Sequence, residues 1–170
     1  MSARSDGLAR LGKAAAPTLL GFLGVILLAA PLRLAEGVIP TPILPLFVVF
    51  FWSLYAPNYL PSVCVFLIGL LQDFLTGGPL GLWPAVYLVT RSIAQSQRSY
   101  FIGREQQVVF IGFAFAAAAA SLILWTVMSL MSGVFLPIGA LALQIAVTLA
   151  AYPLFSLLFR RLRRRVVVEV

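Results

Sequence analysis

Few side chains in this chain could do chemistry. Histidine is absent, which removes the commonest general base, the commonest metal ligand and the Ser-His-Asp triad together. Cys64 is the single cysteine, so no intrachain disulfide forms and no structural metal site is expected. Lys13, the only lysine, precedes the first apolar run, so a Ser-Lys pair inside the apolar sequence is not available. Asp73 has no second acid within an apolar run, which also removes an Asp-Asp arrangement. No catalytic residue, cofactor or metal is therefore expected, and an intramembrane hydrolase is the poorest of the functional readings.

Two charged groups remain inside apolar sequence, Asp73 and Arg91. An acid there costs several kcal/mol unless it is neutralised, hydrated or hydrogen-bonded. Two roles stay open for Asp73: it caps a turn or reaches headgroup water, or it pins its hairpin to another helix or to a partner. Pairing with Arg91 is not expected, because their Cα depths differ by roughly 12 Å at the helical rise. Arg91 is long enough to snorkel toward the nearer face and hold a lipid phosphate or the carbonyl end of a helix.

The elements that position these groups follow from composition. Of 170 residues, 62% are hydrophobic and only 10% charged, against about 25% in ordinary domains, so the chain reads as an all-α integral membrane protein. Six apolar runs are expected as spans: 14–32, 43–56, 60–75, 80 to about 93–95, 108–131 and 138–159. The first has the basic start of a signal peptide, but Leu28-Ala29-Ala30 is followed by Pro31, a poor cleavage context, and it is read as an uncleaved span. The second run, about 14 residues or some 21 Å of helix, is short for a bilayer. The remaining divisions are a basic N-terminal segment, 1–13, a membrane domain, 14–159, and a basic tail, 160–170.

The third and fourth runs meet at Gly77-Gly78-Pro79, which cannot continue a helix cheaply. A helical hairpin is predicted there, with Asp73 one turn inside its bend. With six spans, Arg4, Arg10, Lys13, Arg98, Arg104 and the five arginines at 160, 161, 163, 164 and 165 share one side, and only Arg33 lies on the other. That bias places both termini in the cytoplasm, the short run across the membrane and the hairpin bend on the outer face. The basic ends read as topology signals and anchors for anionic lipid. Nucleic-acid binding is not expected, because no aromatic residues interleave with the C-terminal block.

Polar residues recur every four positions in three runs: Trp83, Tyr87, Arg91 and Gln95; Ser121, Trp125 and Ser129; Gln144, Thr148, Tyr152 and Ser156. Each is a slowly winding stripe that should face protein or a wet cleft, through interhelical hydrogen bonds or as the lining of a ligand cavity. Gly112, Ala116 and Ala120 form a small-residue face, suited to a helix of this chain or of a partner.

The pattern Gly69-Leu70-Leu71-x-Asp73-x-x-x-Gly77-x-Pro79-Leu80-Gly81 resembles the signature of the MreD family of bacterial rod shape-determining membrane proteins. The likeness continues through the basic loop Arg98–Arg104, the two long final spans, Tyr152-Pro153 and the basic tail. The resemblance implies six helices arranged similarly to the substrate-binding subunits of energy-coupling-factor vitamin transporters. It implies a non-enzymatic subunit of the elongation machinery in the bacterial cytoplasmic membrane, binding an MreC-like bitopic protein and, through it, linked to RodA and a class B penicillin-binding transpeptidase in peptidoglycan synthesis. It carries over Asp73, Gly77, Pro79, Leu80 and Gly81 as structural or interaction positions, with no catalytic residues. The alternative is a membrane substrate-binding or transport subunit for a small molecule or lipid-linked wall precursor, its pocket lined by the polar stripes.

Overall fold

The computed structural model describes residues 18–27, 42–101, 105–135 and 137–166. The expectations for segment 1–13, for Arg33 and for Arg104 lie outside the described residues. Among those described, the chain is helical with no strand: α1 (Thr18–Leu27), α2 (Leu44–Tyr55), α3 (Ser62–Thr76), α4 (Leu82–Ser96), a short α5 (Arg98–Phe101), α6 (Gln106–Ser132) and α7 (Ile138–Val166). Among the described residues, two stretches are long and apolar enough to cross a membrane, α6 and Leu141–Phe159 of α7.

Helix ends follow local chemistry. Pro57 and Pro61 bracket the break after α2, where a single 3₁₀ turn, Pro57–Tyr59, joins the helices. Gly77 ends α3 in the left-handed region at φ 65°, and its N–H bonds the Asp73 carbonyl at 3.0 Å. Gly81 precedes α4 at φ 96°. Both conformations favour glycine over any residue with a Cβ.

The core is organised around α2. Pro45 through Leu54 are all buried, so this helix is ringed by protein on every side. A helix surrounded in this way need not match a bilayer in length, which accounts for a run of 12 residues, about 18 Å at the helical rise. Phe47 stacks between Phe113 of α6 at 4.7 Å and Phe155 of α7 at 4.5 Å. Phe51 stacks on Phe159 at 4.9 Å. Pairs of this kind contribute about 0.5–1.5 kcal/mol each beyond the area they bury. At α1, Gly21 faces the Ile68 side chain and Gly24 faces the start of α2 at Pro45.

α7 continues through the arginine block to Val166, because arginine is a good helix former and charge alone does not end a helix. Two expectations are corrected. The polar stretch after α4 is not all loop, since Arg98–Phe101 is helical. Leu80 and Gly81 belong to the corner, and α4 begins at Leu82.

Candidate functional site

The α3–α4 corner gathers most of the motif residues. Asp73 is 1% exposed. Its Oδ2 accepts the Gly81 N–H at 2.6 Å and its Oδ1 accepts the Trp83 N–H at 3.1 Å. The first N–H groups of a helix lack partners within it and sit at the positive end of its dipole, so a carboxylate is well matched to them. The chain must double back for this to happen, and the left-handed Gly77 and Gly81 let it. Pro79 supplies its carbonyl to the Leu82 N–H at 3.3 Å. Leu80 stands outward, 69% exposed.

Gly69 explains why α3 and α4 approach so closely. A Cβ at this position would lie 2.6 Å from Pro84 Cα and 2.7 Å from the Trp83 carbonyl carbon. Beside it, Gln72 is buried and accepts a hydrogen bond from the Tyr87 hydroxyl. Gln72 escaped the sequence reading, although its place next to Asp73 inside an apolar run was the available signal. The Asp73 carboxylate thus caps the start of α4 within its own hairpin.

Arg91 binds the carbonyl end that its length allows. It donates from Nη1 to the Leu60 carbonyl and from Nε to Ser62 Oγ at 3.2 Å. Arg98, expected only as a topology charge, donates from Nε to the Leu54 carbonyl at 3.1 Å. The two arginines thus hold one carbonyl just before the 56–61 break, that of Leu54, and one within it, that of Leu60. Replacing Arg91 by Lys should lower stability by about 2 kcal/mol, because an ammonium cannot reproduce the two-pronged contact and a charged hydrogen bond is lost. Denaturant midpoints of the purified protein in detergent check this, and an Arg98→Lys change, at an exposed position, should cost less.

The polar stripes are largely satisfied within the chain. Trp83, Tyr87 and Arg91 turn inward, whereas Gln95 is exposed at the end of α4, which corrects its place in the stripe. Ser121 and Ser129 are buried on α6. On α7, the Thr148 hydroxyl donates to the Gln144 carbonyl at 2.8 Å and accepts the Ile43 N–H at 3.5 Å. Ser156 accepts from Gln106 Nε2 at 2.6 Å and donates to the Pro153 carbonyl at 2.9 Å. Tyr152 is enclosed by the rings of Phe51, Phe110 and Phe113. Its hydroxyl, like Trp52 Nε1, Ser53 Oγ and Gln72 Nε2, is buried with no hydrogen-bond partner among the described residues.

The small-residue face of α6 is taken by the chain itself. Gly112, Ala116 and Ala120 are buried, and a Cβ at Gly112 would meet the Phe101 ring within 3.0 Å. A partner's helix therefore does not dock on this face as the bundle stands. No family model, curated protein or solved structure matches this chain.

Proposed function

We propose that this chain is a six-span, non-enzymatic subunit of the bacterial cytoplasmic membrane, with both termini in the cytoplasm, that serves the elongation machinery as MreD-like proteins do. The observation that carries the reading is the corner itself: in the motif that resembles the MreD signature, Gly69, Asp73, Gly77, Pro79 and Gly81 each have a distinct job in one tightly packed hairpin. The membrane setting is supported by apolar side chains standing outward along the long hairpin, among them Leu130 and Phe135, 77% and 86% exposed. Water would penalise such a surface and lipid would not.

On this reading the chain binds an MreC-like bitopic protein and supports peptidoglycan synthesis and rod shape, with RodA and a class B transpeptidase as further associates. Co-expressed in a bacterial membrane and extracted in mild detergent, the two proteins should elute together at a constant ratio. Separate elution of two folded proteins would count against the proposal. Cysteine labelling from outside intact cells should reach residue 78 and not residue 98; the reverse pattern would invert the topology.

A second reading, a substrate-binding or transport subunit, draws on the unpartnered Tyr152 hydroxyl and Trp52 indole N–H in the core, groups that a bound ligand could satisfy. Saturable thermal stabilisation by one vitamin or lipid-linked wall precursor would favour it over the scaffold role.

A further inference from the structure

The two hairpins of the bundle end at different heights. Phe47 stacks on Phe113 and on Phe155, so the three mark a common level. From that level α6 runs to Ser132 and α7 runs back to Ile138, about 28 and 26 Å at the helical rise. Gly24 lies against Pro45 and Gly21 against Ile68, which brings Ile68 close to the same level. From Ile68, α3 has only about 12 Å to run to its end at Thr76. The corner at Gly77–Gly81 therefore stops about 15 Å short of the α6–α7 tip. At the opposite end α3 and α6 start level, Ser62 and Gln106 lying about 9 and 10 Å from the phenylalanine stack, while α4 and α7 run on to Ser96 and Val166. Measured from that shared base, the corner stands about 22 Å high, whereas a hydrocarbon core is about 30 Å thick.

We infer that the protein is a bilayer-thinning wedge, with lipid headgroups and water drawn down to the α3–α4 corner on one side and the bilayer held at full thickness by α6 and α7 on the other. The inference rests on the membrane placement proposed above and not on the partner. On the long side, exposed Leu130, Phe135 and Ile138 keep hydrocarbon up to the tip. On the short side, the exposed apolar residues end at Phe74, Leu75 and Leu80, and Thr76, Gly77 and Gly81 are exposed around the turn. The last carbonyls of α3 lack helical partners and need water. Covering them with acyl chains would leave peptide groups unsatisfied in hydrocarbon, a cost far above the small penalty per ångström of thinning a bilayer.

Spin labels at two sites of similar height test this. Gly78→Cys is placed at the corner, where a Cβ meets only Thr76 Oγ1 at 3.8 Å, and Ala146→Cys on the exposed side of α7, each in a Cys64→Ser background. In dioleoylphosphatidylcholine vesicles, collision with a water-soluble nickel chelate and with oxygen reads the depth of each label. The Gly78 label should read at headgroup level, about 8 Å shallower than the Ala146 label. Equal hydrocarbon depths would overturn the wedge while leaving the membrane placement intact. A Gly78 label shielded from both reagents, covered by protein, would overturn it too. An Ala146 label outside the hydrocarbon would overturn the membrane placement and the wedge with it.

Discussion

Gly69→Ala should destabilise the bundle by about 3 kcal/mol, at the upper end of what a single added methyl costs in a packed core. The size follows from what the methyl meets. Its neighbours are backbone atoms of Trp83 and Pro84, which cannot swing aside as a side-chain tip can. Relief requires α3 and α4 to separate, and separation pulls Asp73 from Gly81 and Trp83. Gly112→Ala should cost less, about 1 kcal/mol, because the obstacle is the ring of Phe101 at the end of a rotatable side chain. Gly139→Ala meets nothing within 4 Å and should be neutral or stabilise by up to about 1 kcal/mol through helix propensity. Unfolding by sodium dodecyl sulfate in mixed micelles, followed by circular dichroism, orders the three. Equal midpoints for Gly69→Ala and Gly139→Ala would show that the close approach does not hold.

The corner was legible in the sequence because glycine and proline act locally. Gly77-Gly78-Pro79 stops a helix whatever surrounds it, and the bend falls where those residues put it. The place of α2 was not legible. Its run is apolar all round, and such a run reads the same whether lipid or protein surrounds it. Only the fold shows that aromatic side chains from α6 and α7 close over it. Arg98 was hidden for a related reason. A basic residue in a loop satisfies a topology rule, and nothing in its neighbours in sequence points to a carbonyl 44 positions earlier. Gly112, Ala116 and Ala120 are buried on one face of α6, but spacing cannot say what covers that face. At Gly112 the cover is the ring of Phe101, brought back by the short α5.

The different reaches of the helices also bear on what the chain can bind. α6 and α7 extend well past the level at which α2 begins, and the upper part of α6 carries exposed Leu122, Leu130 and Met131. Lower down, α2, α4 and α6 press their inward faces on one another. A helix from a companion protein would therefore find free surface on the upper part of the long hairpin and on the outer face of α3, where Phe66 and Phe74 are exposed. The small-residue face, already filled, is not available to it.

Asp73→Ala should cost about 3 kcal/mol, and the way that loss divides separates the two roles the sequence left open. The substitution strands two N–H groups, Gly81 and Trp83, that now bond a carboxylate. Hydrogen bonds to charged groups contribute about 1.5–3 kcal/mol each, and the α4 dipole adds to the preference for negative charge there. Asp73→Asn keeps the shape and one acceptor oxygen, but turns an amide NH₂ toward the second N–H, so it should lose roughly half as much. Ser92→Ala, on an exposed side of α4, serves as the control and should stay near wild type. Amide exchange at Gly81 and Trp83 should accelerate in both Asp73 variants ahead of the rest of α4, because the first turn frays once its cap is gone. If Asp73→Ala instead leaves stability and exchange unchanged but abolishes co-elution with an MreC-like protein, the carboxylate serves a partner and the cap is incidental. If stability falls and binding falls with it in proportion across Ala, Asn and Gly69→Ala, the partner recognises the assembled corner and Asp73 acts by holding that corner in shape.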